Sequence, residues 1–191
     1  MNEKSIMLSS YVNSLKKQLS ISEVIADQIY YLMDSLLIAW RSGKKIFICG
    51  NGGSAANASH MANDFIYGVG VKNGRGMKVE ALTANEAVLT CLANDTGYEN
   101  IFSEQLKVKA DEEDVLIVLS GSGNSKNVIN ALKIANTLKM KSFAILGFAG
   151  GECKDLAQTS IHFEVNDMQI AEDLQLIVGH MCMQWLCEQK L

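Results

Sequence analysis

Two groups of residues in this chain have the types and spacing for proton or metal chemistry. His60 and Asp64 lie four apart, and a late segment carries Glu172, Asp173 and His180. Residues four apart meet on one face of a helix, so His60 and Asp64 can serve one ligand if their segment is helical. Asp173 and His180 share nearly one helix face, with Glu172 about 80° round from His180. Imidazole nitrogens and carboxylate oxygens form a workable zinc donor set. The same groups can also move protons between carbon and oxygen. Of the three histidines in the chain, these two have carboxylates nearby, and His162, in a short apolar segment, reads as structural. The plainer alternative is that Glu172 and Asp173 complement a helix N-terminus while each His is a satisfied structural residue.

Two glycine- and serine-rich stretches supply the means to hold an anion. One is Gly50-Asn51-Gly52-Gly53-Ser54, the other Ser120-Gly121-Ser122-Gly123-Asn124-Ser125. Each follows an apolar run, Ile46–Cys49 or Val115–Leu119, and precedes a segment of helical composition, 55–65 or 126–140. A strand, a glycine loop and a helix N-terminus in that order aim free N–H groups and a positive dipole end at the loop. Serine hydroxyls add neutral donors. One such loop is weak evidence; two point to a phosphate or phosphosugar. Neither is a Walker A loop, which needs Lys then Ser or Thr after its second Gly. Neither carries a dinucleotide fingerprint, since Lys126 stands where Gly121-Ser122-Gly123 would need a third Gly or Ala.

The elements that must position these residues follow from periodicity. Helices are expected over 3–20 and from Ser20 or Ser22 to Ser42, with Gly43 as the stop. The glycine-rich stretch Tyr67–Lys78 reads as a loop. A strand is expected over 79–83, a short helix over 85–92, a turn over 94–98 and a helix over 100–109. Beyond the serine loop come strand 143–146, a short helix 153–158, strand 161–165 and a long helix 169–188. The five consecutive apolar residues Val115–Leu119 imply burial on both faces, as in a parallel sheet. The expectation is one α/β domain over 1–191: a three-layer sandwich with a five-stranded parallel sheet, and residues 1–42 as a helical N-terminal extension. Ligands of such sheets bind beyond the carboxyl ends of the strands, where both loops fall. The first helix carries an apolar face outside the βα repeat, and a partner subunit or an intramolecular dock would bury it.

Composition narrows the function. A net charge of −4 offers no electrostatic case for nucleic acid or an anionic membrane. No apolar run approaches the roughly 18 residues of a membrane span, and residues 1–20 lack the apolar core of a signal peptide. Five cysteines with no CxxC pair fit reduced thiols in the cytoplasm better than a disulfide framework. Cys49 and Cys91, in apolar surroundings, read as core.

The segments CGNGGSAANASH, LAND and SGSGNS, with Gly179-His180 in the late helix, resemble the sugar isomerase (SIS) fold. They are most similar to the phosphoheptose isomerases, which interconvert sedoheptulose 7-phosphate and D-glycero-D-manno-heptose 7-phosphate. The likeness covers nearly the whole chain. It implies a flavodoxin-like strand order, a homotetramer with sites between subunits, and zinc. Substrate contacts would come from Asn51, Gly52, Gly53, Ser54, Asn94, Asp95, Ser120, Gly121, Ser122 and Ser125. His60 and His180 would be zinc ligands. The family usually has Glu where this chain has Asp64, Gln where it has Glu172, and an Arg shortly after the first site helix, where this chain has Tyr67-Gly68-Val69. The implied reaction is aldose–ketose isomerisation through an enediol(ate), with Asp64 or Glu172 as base and His180 as acid. Zinc is expected on some or all of His60, Asp64, Glu172 and His180, with Glu172 taking over part of the missing Glu's role. The rival expectations are an isomerase of another phosphosugar in surface-polysaccharide synthesis and a non-enzymatic phosphosugar-binding or replication-initiator-associating relative.

Overall fold

Alternation along the apolar strands sends side chains to two opposite faces, and both faces are covered by helices. Ile46, Ile48, Ile117, Leu119 and Ile145 enter one core, while Phe47, Cys49, Leu116, Val118 and Ala144 enter the other. The structure, a computed structural model, describes residues 2–190, and of Lys72 the backbone alone; residues 1 and 191 of the expected domain lie outside the described residues. Five strands, β1 (Lys45–Gly50), β2 (Lys78–Ala81), β3 (Val115–Ser120), β4 (Lys141–Leu146) and β5 (Thr159–His162), form one parallel sheet in the order β2-β1-β3-β4-β5. This is the flavodoxin-like order, and it reverses between β1 and β3.

The N-terminal helices are α1 (Glu3–Leu19) and α2 (Glu23–Ser42). Ser22 caps α2 by accepting from the Ile25 N–H, and Gly43, at φ 69°, ends it in the left-handed region. The two differ in burial: α2 places Ile29, Leu32, Leu36 and Trp40 in the core, whereas α1 has no buried residue. Helix α3 (Gly53–Asn63) follows β1 and packs with α2 and α9 (Met168–Cys187) on one face. Helices α6 (Ser103–Lys109), α7 (Lys126–Thr137) and α8 (Gly151–Leu156) cover the other.

Four expectations need correction. The stretch 67–78 is largely helical: α3 runs through a π-helical turn, Asp64–Gly68, into α4 (Val69–Asn73), which ends at Gly74. Gly74, at φ 75°, turns the chain, whereas Gly68, Gly70 and Gly76 serve close approach. A Cβ on Gly68 would come within 2.5 Å of Met183 Cε, and one on Gly76 would overlap the Ile66 carbonyl. Residues 94–96 continue α5 (Glu86–Thr96), and the turn begins at Gly97 with φ 94°. Strand β5 starts earlier than expected, because Thr159 and Ser160 pair with Phe143 and Ala144. Cys91 is exposed on α5, its thiol donating to Asp95, while Cys49 is buried as expected.

Candidate active site

The two loops meet where the strand order reverses. Gly50, the last residue of β1, lies opposite Leu119 of β3, and a Cβ there would come within 2.8 Å of the Leu119 carbonyl oxygen. Gly52 takes φ 57° to start α3. Neither N-cap residue, Gly52 of α3 or Ser125 of α7, caps its helix with a side chain. Two helices, one from each face of the sheet, therefore direct unsatisfied N–H groups toward the same crevice. Between them lies a cavity of about 100 Å³ bordered by Asn51, Ser54, Ser120, Ser122, Ser125 and Glu172. No Lys or Arg among the described residues lines it.

The serine loop is set by its own backbone. Ser120 Oγ accepts from the Gly123 N–H at 3.0 Å, and Ser122 Oγ accepts from the Asn124 N–H at 3.3 Å. Each hydroxyl oxygen is thus held by a backbone donor, which leaves its O–H to give to a ligand. Gly123 has φ 68° and lies against the Gly150 carbonyl, where any Cβ would overlap it. Met168 Sδ and the Phe148 ring edge lie over Gly121, closing the loop's outer side with apolar groups.

The carboxylates and imidazoles are arranged along a seam between α3 and α9, which run side by side. The Glu172 carboxylate lies against Gly53 at the start of α3. One turn on, Asn57 Nδ2 donates to the Glu172 carbonyl at 2.9 Å and to Gln175 Oε1 at 3.0 Å, tying the helices together. Further on, Gly179 allows close approach, since a Cβ there would be 2.9 Å from Met61 Cγ. Beside that contact His60 Nε2 and His180 Nε2 are 2.9 Å apart, and both face Asp64 Oδ2, at 3.3 and 3.6 Å. Asp64 begins the π-helical turn, a feature that recurs at functional sites.

The His60, Asp64 and His180 ligand atoms lie within 4.8 Å of one another, the spacing of a metal donor group. Donors about 2.0–2.1 Å from a tetrahedral zinc sit about 3.3–3.4 Å apart; the 3.3 and 3.6 Å separations lie near that spacing, and the 2.9 Å between the imidazoles would have to open by a few tenths of an ångström. Glu172 does not join them. Eight residues of α9 separate it from His180, about 12 Å of helix rise. The four residues expected around one zinc are divided: three stand together, and Glu172 stands with the serine loop.

Of the other expected contacts, Gly52 and Gly53 form the exposed entry to α3. Asn94 and Asp95 sit exposed in the last turn of α5, hydrogen-bonded to each other at 2.7 Å, and do not line the serine-loop cavity. The segment after them does reach the site: Tyr98 Oη donates to Asn51 Oδ1 at 2.9 Å. Tyr98, Asn127 and Asn57 carried no functional signal in the sequence; Asn127 had only its place just after the serine loop. The N-terminus of α9 is capped by Asp167, which accepts from the Ile170 N–H, and not by Glu172 or Asp173; Asp173 accepts from Tyr11 of α1 instead. The buried thiols are inert, with desolvation pushing Cys153 and Cys182 up to about 12.

A reversed parallel sheet with an anion cradle at the reversal and a His/Asp/His group along the adjoining seam defines a class of phosphosugar proteins, and the matched family agrees: residues 10–147 fit the SIS domain model. A phosphoheptose isomerase of Helicobacter pylori (strain P12) is 34% identical over 172 residues, 90% of this chain and 87% of that protein. One from Aliarcobacter butzleri (strain RM4018) is 36% identical over 173 residues, 87% of this chain and 91% of that protein. The solved phosphoheptose isomerase of Neisseria gonorrhoeae superposes with a TM-score of 0.87 at 25% identity, covering 97% of this chain and 98% of that one. The chain belongs to the SIS domain family and, within it, to the phosphoheptose isomerases.

Proposed function

We propose that this protein interconverts sedoheptulose 7-phosphate and D-glycero-D-manno-heptose 7-phosphate. The observation that carries the reading is the separation of the two ends of the α3–α9 seam. Phosphate would sit in the serine loop, held by Ser120, Ser122, Ser125 and the free N–H groups of α3 and α7. Asn51, Gly52, Gly53 and Ser54 would meet the adjoining hydroxyls. In an extended sugar each C–C bond advances about 1.3 Å. Seven carbons plus the phosphoester therefore span on the order of 10 Å, comparable with the roughly 12 Å of helix rise between Glu172 and His180, so a seven-carbon chain reaches further toward His60, Asp64 and His180 than a five-carbon one.

Asp64 is the base in this reading. Its Oδ2 faces the two imidazoles, while Oδ1 accepts, among the described residues, a long 3.4 Å contact from Asn63 Nδ2. It removes a proton from C1 of the ketose, and the electron pair moves through C2 to O2, giving an enediol(ate). Return of the proton to C2, with loss of the O1 proton, completes the aldose. His180, with His60 beside it, serves the two oxygens. His60, Asp64 and His180 would also hold zinc, which when bound supplies a Lewis acid for the carbonyl and hydroxyl oxygens. Glu172, near the phosphate end, orients hydroxyls rather than taking the C1 proton.

The assay that tests this is coupled isomerisation over ketose phosphates of five, six and seven carbons. Turnover should rise steeply with length. Equal rates for all three, or none for sedoheptulose 7-phosphate, would refute the reading. The same reading includes a cytoplasmic homotetramer. Ile6, Met7, Leu8 and Val12 of α1 are exposed, and a groove of about 670 Å³ separates α1 from the start of α9. Light scattering should report four chains of 20.9 kDa; a stable monomer at micromolar concentration would oppose it.

A further inference from the structure

Asn51 does not stand alone in its loop. Its Oδ1 accepts from Asn127 Nδ2 at 2.7 Å and from Tyr98 Oη at 2.9 Å, and its Nδ2 donates to Asn127 Oδ1 at 2.9 Å. Asn51 and Asn127 thus form a reciprocal amide pair across the point where the strand order reverses. Asn127 is 2% exposed, in the first turn of α7. Its Oδ1 also accepts from the Val128 backbone N–H at 3.0 Å.

That last bond fixes the rest. A backbone N–H must be met by an acceptor, so the oxygen of Asn127 faces Val128 and its nitrogen must donate to Asn51. The Asn51 oxygen is therefore the accepting atom and is filled on both lone pairs by Asn127 and Tyr98. The Asn51 nitrogen keeps one N–H with no partner among the described residues. Asn51 borders both the serine-loop cavity and a neighbouring one of about 430 Å³ lined by Tyr98, Glu99, Ser125, Lys126 and Asn127.

We propose that Asn127 and Tyr98 are positioning residues that lock the Asn51 amide, so that it offers the sugar phosphate an N–H and never a carbonyl. This rests on the phosphosugar reading of the site. The lock makes Asn51 specific for an oxygen that accepts, phosphoryl or carbonyl, and ties the glycine loop to the serine loop through side chains alone.

The test is a double-mutant cycle with sedoheptulose 7-phosphate, paired with NMR of side-chain amides in the unliganded protein. Asn127→Asp still accepts from Val128 but cannot donate to Asn51, whose carbonyl would then face a carboxylate oxygen, so that the amide is no longer held in place. The expected loss in kcat/KM is roughly tenfold to a hundredfold, one hydrogen bond to a charged or developing oxygen. In an Asn51→Ala background the same change should add less than about twofold. Tyr98→Phe, at a residue 59% exposed, leaves folding untouched and should cost roughly three- to tenfold. An undiminished effect of Asn127→Asp without Asn51 would overturn the proposal. So would full activity of Tyr98→Phe in a protein impaired by Asn51→Ala. The Asn51 side-chain amide resonances should shift in Asn127→Asp, and unchanged resonances would sink the lock whether or not any sugar turns over. Shifted resonances in a protein whose wild type isomerises no ketose phosphate would instead defeat the functional reading and leave the lock standing.

Discussion

The serine-loop end and the histidine end of the α3–α9 seam are built on opposite plans. At the first, neutral hydroxyls are fixed by backbone N–H groups, Gly123 is wedged against the Gly150 carbonyl, and no cationic side chain among the described residues lines the cavity. At the second, three titratable groups face one another, with the imidazoles of His60 and His180 48% and 47% exposed. An anion that only has to be held is served by preorganised donors that never change charge. A proton that has to move needs groups that do change charge and can be reached.

The sharpest way to break this contrast is to exchange the roles of the two carboxylates. Asp64→Asn should cut kcat by about 10²–10⁴, the usual worth of a general base, whereas Glu172→Gln should cost about tenfold or less in steady-state assays. The reverse order would move the base to the phosphate end and restore the idea that Glu172 took over the role of the family's Glu. His180→Ala should next lower zinc affinity by at least about a hundredfold, more than loss of an outer partner costs, as read by metal retained after dialysis. Equal retention would place the ion elsewhere. Ser122→Ala should weaken phosphosugar binding only about three- to tenfold, and much less for the dephosphorylated sugar. Equal losses for both ligands would mean that the loop does not read phosphate.

The smallest expected effect lies outside both ends. The hydrogen bond to Asp173, with burial and the Asp173 charge, pushes Tyr11 up to about 12, from an ordinary value near 10. A folded-state value raised in this way means that the bond's stabilisation is complete below pH 10 and is lost as pH climbs toward 12. Tyr11→Phe should cost about 0.5–1 kcal/mol at neutral pH, a difference that disappears in urea melts near pH 12. A difference persisting at pH 12 would show that packing, not the bond, fixes Tyr11.

Much of this was legible in the chain itself. Val115–Leu119 announced a strand covered on both faces, and Ser22 with Gly43 bounded α2 as cap and stop. The pairing of His60 with Asp64 also followed from helical spacing, whereas their approach to His180 was implied only by the family resemblance. Two things did not. Gly68, Gly70 and Gly76 looked like loop residues because glycine in a sequence does not say whether it turns the chain or admits a neighbour; here Met183, the Gly76 backbone and Ile66, respectively, occupy the space. The grouping of Glu172 with His180 came from helix angle and the family resemblance, and angle ignores rise: eight residues of helix put them about 12 Å apart. Asn127 was invisible for a different reason, since its partner lies 76 positions away and only the parallel pairing of β1 with β3 brings the two together.

Helix α1 has 17 residues and none buried, and helices of that length are marginal in water without tertiary support. Tyr11 and Leu15 touch the core only partly. In the proposed homotetramer, association would supply much of the free energy that keeps this segment ordered, so its amide hydrogens should exchange quickly in dilute protein and slowly in concentrated protein. A protease added at nanomolar protein should trim the N-terminus first, and the surviving fraction should rise with concentration. Cellular abundance would in that way set how long each newly made copy keeps its first helix.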